Sequence, residues 1–139
     1  MDKKPRIGLG IIILKENDVL LGKRKGSHGE GTWSFPGGHL EYYESLERCI
    51  GRELKEEIGL TKEDIKLIDK RPHTITEDIF PEDLHYITLY MRVKYLNGVP
   101  KVMEPDKCEI WNWFSWDYLP SPLFLPVRNL IKQRYDPFK

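Results

Sequence analysis

Apolar runs and polar breaks follow one another along the chain at short intervals. Residues 7–14 are apolar and largely β-branched, residues 15–18 are polar, and residues 19–25 turn apolar again, which predicts a hairpin. Three glycines in residues 26–31 predict a flexible loop, followed by a short strand over 32–35. Pro36-Gly37-Gly38 then breaks the chain sharply. From about residue 44 to 58 apolar positions recur at helical spacing, and Gly59 stands where a helix C-cap is expected. Residues 65–70 predict a strand, 73–83 a polar, acidic loop, and 84–96 a long strand ending at Asn97-Gly98. A strand over 101–103 leads to a loop at 104–107, an aromatic strand covers 110–116, and Pro120 and Pro122 introduce a last helix over about 123–135. Strands, helix, strands and helix in that order predict one mixed α/β (α+β) domain over residues 1–139, with helices packed on sheet faces.

Composition narrows the function. A chain that is 40% hydrophobic and 32% charged is an ordinary globular protein, not a disordered one. Its 22 basic and 22 acidic residues cancel, so long nucleic acid is not expected as a partner and any phosphate recognition must be local. The longest apolar run, residues 11–14, is far too short to cross a bilayer, and the first five residues lack the apolar stretch of a signal peptide. No membrane partner is expected, and a cytoplasmic setting is. Cys49 and Cys108 stand apart, without metal-type spacing, and suit a reducing compartment as buried or half-buried thiols. Gly26, Gly29 and Gly31 do not form a dinucleotide fingerprint, because a strand and a Pro-Gly turn follow them instead of a helix. The basic runs Lys3-Lys4 and Lys23-Arg24-Lys25 are too short for a nucleic-acid surface, and no His–Cys cluster suggests zinc.

Chemistry concentrates on the helix. At about 100° per residue, Leu46, Cys49, Ile50, Leu54 and Ile58 share one side, with Arg48, Arg52 and Lys55 broadly opposite. Glu53 and Glu57 project within about 20° of Leu46, on the side that should be buried, and Glu56 flanks them. Burying such a like-charge pair costs several kcal/mol per ion unless something neutralises it. A solvated acidic edge is the ordinary reading of three helical glutamates. The shared inward side and the glycine-rich turn before the helix favour oxygen ligands for Mg²⁺ or Mn²⁺ instead.

Gly38, Glu44 and the run Arg52-Glu53-Leu54-Lys55-Glu56-Glu57-Ile58-Gly59-Leu60 together resemble a complete Nudix box. The resemblance implies the Nudix fold, a mixed β-sheet sandwiched between helices. It implies Glu53 and Glu57 as direct metal ligands, Glu56 as a ligand directly or through water, and the Gly37 carbonyl oxygen as a further donor. Arg52 would tie to Glu44 and hold the loop and helix rigid; Gly38 would be structural. The implied reaction is in-line attack of water on a phosphorus of a diphosphate linkage, with Mg²⁺ (or Mn²⁺) neutralising phosphate oxygens. A carboxylate would take the proton, either a box glutamate or an acid on a distant loop. Glu104 and Glu109 are the loop candidates, with Glu104 ahead because it follows the strand over 101–103.

Markers downstream of the box sort the family. Ile75 stands where ADP-ribose hydrolases often carry proline, and Glu77 and Asp78 where dinucleoside-polyphosphate hydrolases often carry tyrosine. The segments at 20–27, 36–41, 103–109 and 135–138 resemble small MutT-like enzymes that act on normal, oxidised or thiolated purine nucleotides and dihydroneopterin triphosphate. The expected activity is conversion of a nucleoside triphosphate to monophosphate and pyrophosphate. Cleavage of ADP-ribose or NADH, and a non-catalytic nucleotide-binding module, stand as alternatives; attack on the 5′ end of RNA is disfavoured by the missing basic groove. Homodimers are common among such relatives. Matching positions assign Phe35, Thr88, Phe124 and Leu125 to a base pocket, with Ser34 and His39 at its rim and Arg24 toward a phosphate. Phe35, Phe124 and Leu125 compete with plain core roles, and Trp111, Trp113 and Trp116 are expected to pack the sheet.

Overall fold

The protein's structure, a computed structural model, describes residues 3–26 and 28–139. Met1 and Asp2 of the polar start, and Ser27 of the glycine-rich loop, lie outside the described residues. Strands β1 (Arg6–Lys15) and β2 (Asp18–Arg24) form the predicted hairpin, with Glu16 in the turn at φ 55°. The short β3 (Trp33–Ser34) pairs with β2, and β4 (Gly37–His39) pairs with β1. Helix α1 (Leu46–Ile58) precedes β5 (Ile65–Leu67), β6 (Thr74–Phe80), β7 (Leu84–Tyr95) and β8 (Cys108–Ser115), and α2 (Leu125–Lys132) closes the chain.

One mixed sheet results. Its central path runs β3-β2-β1-β7-β5, with β4 attached to β1, β6 to β7 and β8 to β2. The β1 and β7 strands run parallel, in register from Arg6↔Tyr86 to Leu14↔Lys94. A parallel pair needs a long crossover, and α1 with β5 and β6 supplies it. Both faces of this pair are covered. Leu9, Ile11 and Ile13 face α1, where Cys49, Ile50, Leu54 and Ile58 complete one core. Ile12, Val19 and Leu21 face the other way, onto Phe35, Tyr90, Val127 and Leu130. Burial on both faces explains why residues 7–14 read as a continuous apolar run without alternation. The expected α+β sandwich is therefore what the chain forms. Among the described residues no helix is long and apolar enough to cross a membrane.

Several boundaries differ from the expectations; β5, expected over 65–70, ends at Leu67, and α1, expected from about residue 44, begins at Leu46. Residues 74–80, expected as loop, form β6, a full antiparallel partner of β7 from Thr74↔Tyr90 to Phe80↔Leu84. Its alternation is inverted: Thr76, Asp78 and Phe80 are buried while Ile75, Glu77 and Ile79 are exposed. Polar residues on the inward face hid the strand from a hydrophobicity reading. Residues 101–103 are no strand; Lys101 and Met103 donate their N–H groups to the carbonyls of Ile58 and Glu57, satisfying the end of α1. Glu109 accordingly lies on β8, not in a loop. The last helix covers 125–132 only, with Pro126 in its first turn, and stops before Arg134 at φ 56°. The tryptophans pack as expected: Trp113 meets Tyr95 edge-on at 5.3 Å, Trp116 stacks on Phe35 at 6.5 Å, and Trp111 covers Gly22.

An ion pair locks the far side of β7. Arg92 donates to both Asp69 oxygens at 2.9 Å and to the Pro137 carbonyl at 2.9 Å, joining β7, the segment after β5 and the C-terminal tail. Both side chains are largely buried, and the guanidinium holds the Asp69 carboxyl below its usual range. Asp69→Asn should therefore lower unfolding stability by about 2 kcal/mol, the scale of hydrogen bonds to a charged group. Urea unfolding of both forms at neutral pH measures the difference.

Candidate active site

The site begins where the chain enters α1. Ser45, extended at φ −74° and ψ 160°, caps the helix by accepting the Arg48 N–H, so Glu44 stands just outside the helix and not in its first turn. From there Glu44 accepts the Glu41 N–H at 3.0 Å and takes Arg52 Nε at 2.6 Å and Nη2 at 2.9 Å. The same guanidinium donates to the His39 carbonyl at 3.0 Å and to Glu53 Oε1 at 2.7 Å, and lies 3.5 Å from Glu56. Arg52 thus gathers the loop before the helix and two helical turns around one cation. Its hydrogen bonds depress the Glu44 carboxyl to about 2.

Glu53 is 7% exposed, and Glu57 turns its carboxylate to the Gly37 N–H at 2.8 Å. Burial pushes both carboxyls upward; the Arg52 charge opposes this at Glu53, and the Gly37 N–H opposes it at Glu57. The Glu53 carboxylate pushes Glu57 further up, whereas its hydrogen bond with Glu57 lowers Glu53, and Glu104 adds to the negative field at Glu57. Gly38 makes the approach possible: a Cβ there would lie 2.4 Å from Glu53 Oε1. Two acids converge, whereas Glu56 is exposed and leans on Arg52. Among the described residues no group of three His, Cys, Asp or Glu side chains is gathered closely enough to hold a cation by itself. Two desolvated carboxylates beside a backbone turn are hard oxygen donors lacking full compensation, and that donor set fits a divalent cation such as Mg²⁺.

Glu104 reaches this field because the segment at 101–103 is tied to the end of α1. It is half-buried, with Lys107 Nζ 3.7 Å away. Glu109 is exposed and paired with Lys23 at 3.5 Å.

A pocket adjoins the two glycines. Its floor is the β1 segment Gly8-Leu9-Gly10, and Gly37, Gly38 and His39 form the wall toward the acids. Of the residues assigned to a base pocket, Arg24, Ser34, Phe35, His39, Thr88 and Phe124 line it; Leu125 does not. Leu125 opens α2, and its neighbours Pro126 and Val127 take the wall position. Arg24 lies over the Phe124 ring at 4.0 Å and donates to the His28 carbonyl at 3.0 Å. Burial lowers its proton affinity and the Glu57 charge raises it, so a half-buried cation lines the pocket within the field of Glu57. His39 stacks on Tyr86 and reaches its hydroxyl at 2.8 Å; burial and then Arg6 lower its pKa, which favours neutral imidazole.

Sequence reasoning missed His28, Phe80, Tyr86 and Tyr90 on this wall. Tyr86 and Tyr90 follow from Thr88, since positions two apart on one strand share a face. His28 sat in a loop and Phe80 in a stretch read as loop. Phe80 packs against the His28 ring at 4.3 Å and the Phe124 ring at 5.5 Å. The thiols are free: Cys49 is buried against α1's core, where burial pushes it up to about 12, and Cys108 is half-buried.

Comparison with known proteins covers nearly the whole chain. The NUDIX domain family matches residues 4–134. The chain is 43% identical over 91 residues to an 8-oxo-dGTP diphosphatase of Proteus vulgaris, covering 64% of this chain and 75% of the relative. It is 42% identical over 151 aligned positions to an RNA pyrophosphohydrolase of Vibrio cholerae, covering 96% and 80%. Among solved structures, a MutT NUDIX hydrolase from Burkholderia pseudomallei superposes with a TM-score of 0.81 at 32% identity, covering 96% of this chain and all of that one.

The Arg52–Glu44 pair carries a pH signature. A carboxyl depressed in the folded state adds stability that is complete above its ordinary value of 4.5 and is lost as pH falls toward about 2. Glu44→Gln should cost about 2 kcal/mol at neutral pH and flatten the acid limb between those values. Thermal unfolding of both forms across pH 2 to 7 reads out both effects.

Proposed function

The chain belongs to the NUDIX family and is a pyrophosphohydrolase acting on nucleotides, and from that premise we propose that it converts a nucleoside triphosphate to the monophosphate and pyrophosphate. The observation that carries the proposal is the pair of desolvated carboxylates, Glu53 and Glu57, placed against Gly37 and Gly38 beside a pocket with an aromatic wall. Likeness to the Proteus vulgaris 8-oxo-dGTP diphosphatase supports a purine triphosphate.

In this proposal Glu53 and Glu57 would hold Mg²⁺, and Glu56 and the Gly37 carbonyl oxygen would be the further oxygen donors. The cation would neutralise phosphate oxygens and acidify a bound water. The protein's own groups do the remaining work. Arg52 and Glu44 keep Glu53 aimed by fixing the helix to the preceding loop. Arg24, half-buried over Phe124, meets the phosphate chain from the pocket wall. Glu104, held near Glu57 and only weakly paired with Lys107, accepts the proton of the attacking water. Phe35 and Phe124 offer apolar area to the base, and Ser34, His39 and Thr88 its polar contacts.

A second reading, cleavage of the phosphate chain on an RNA, is favoured by the likeness to the Vibrio cholerae RNA pyrophosphohydrolase. One product-resolved assay with Mg²⁺ separates the two. Its panel holds normal and 8-oxo nucleoside triphosphates, a short 5′-triphosphorylated RNA, ADP-ribose and NADH. Monophosphate plus pyrophosphate from a free triphosphate is expected; turnover of the RNA alone, or of ADP-ribose or NADH alone, would overturn the substrate assignment. Glu53→Gln and Glu57→Gln should lower kcat at least about a hundredfold with the fold retained, and Glu104→Gln should lower kcat more than KM. Gly38→Ala should displace the Glu53 carboxylate and lower kcat about a hundredfold, with near-native unfolding.

A further inference from the structure

The inward face of β6 carries a carboxylate that the proposed reaction does not use. Asp78 is fully buried behind the pocket wall. Thr88 donates to its Oδ2 at 2.5 Å, Thr76 donates to the same oxygen at 3.1 Å, and the Asn129 amide of α2 donates to Oδ1 at 2.9 Å. Tyr90 OH stands 3.2 Å from Thr76 Oγ1.

Donor and acceptor roles in this cluster follow from the carboxylate, which only accepts. Thr88 and Thr76 must each point their single hydroxyl proton at Asp78. With its proton committed, Thr76 can receive but not give, so Tyr90 must donate to it. Thr88 and Tyr90 both line the pocket, and both have turned their protons away from it. What faces the pocket from this wall is oxygen lone pairs, backed by a carboxylate one hydrogen bond behind.

We propose that Asp78 is a positioning residue that sets the hydrogen-bond polarity of the base pocket, making the Thr88 wall an acceptor that selects a nucleobase edge carrying N–H donors. Guanine presents two adjacent donors, N1–H and the 2-amino group, whereas adenine presents its 6-amino donor beside a lone pair at N1 that an acceptor wall repels. The selected substrate is then a guanine nucleotide over its adenine counterpart. This inference rests on the proposed triphosphate hydrolysis and names its base class.

The test compares dGTP with dATP in the wild type, Asp78→Asn, Thr88→Val and Thr88→Ser, by kcat, KM and equilibrium dissociation constant. The expected wild-type preference for dGTP in kcat/KM is at least about tenfold, the discrimination of one buried hydrogen bond to a base. Asp78→Asn frees the Thr88 proton, and Thr88→Val removes the acceptor; both should bring the ratio within about threefold, mainly through KM. Thr88→Ser keeps the hydroxyl and should keep the preference. If Asp78→Asn does not fold, Thr88→Val and Thr88→Ser carry the comparison. A wild type without base preference, or Asp78→Asn and Thr88→Val variants that retain it, overturns the assignment and leaves the proposed reaction standing. Wild-type protein that binds dGTP over dATP yet cleaves neither overturns the reaction and leaves the pocket polarity intact.

Discussion

Two carboxylates four residues apart on the inward side of a helix repel each other and lose hydration together, and the surrounding structure answers that cost. Arg52 lies against Glu53 and reaches back to Glu44, so compensating the buried charge also pins the loop that precedes the helix. The Gly37 N–H answers Glu57, and Gly38 has no Cβ to keep Glu53 at a distance. Helix, turn and acids are consequently one unit, in which moving any part exposes or strands a charge. Two acids left only partly neutralised are a set of hard oxygen donors that suits a divalent cation.

The sheet holds that unit in place. Its β1 strand is the common element: it pairs with β2, β4 and β7, packs one face on α1 and turns the other toward α2. Glycines at 8 and 10 interrupt the second face and leave the hollow that becomes the pocket floor. At Gly10 a Cβ would meet the Tyr90 ring at 2.7 Å, so this strand trades a packed side chain for the close approach of an aromatic wall. Acids on one side of the Gly37-Gly38 turn and the pocket on the other are therefore set by a single strand pairing.

Polarity inside the pocket comes from further away. The Asp78 cluster draws on the neighbouring strands β6 and β7 and on α2, which lies far along the chain. Its hydrogen bonds keep a carboxylate buried without a cation beside it, which only several well-aimed donors make tolerable. The carboxylate in turn orients the Thr88 hydroxyl on the pocket wall.

Local spacing was enough to find the helix, its cap at Gly59 and the acids Glu53, Glu56 and Glu57, because a helix turns each interval into a fixed direction; the support pair Glu44 and Arg52 was legible only through the resemblance to the Nudix box. Local spacing also yielded the α+β class and most strands, since apolar runs and turn residues mark them directly. Tertiary structure decided the rest. Strand β6 escaped notice because its inward residues, Thr76 and Asp78, are polar and need partners on β7 and α2 besides each other. Glu104, and not Glu109, approaches the acids because the chain before it caps α1, a contact without an apolar signature. His28, Phe80 and Phe124 meet across nearly a hundred residues of sequence, and Leu125 yields its place to Val127 through the start of α2. Directions within one helix or strand are written in the order of residues, whereas a pocket is a set of long-range contacts whose partners exist only once the sheet has closed.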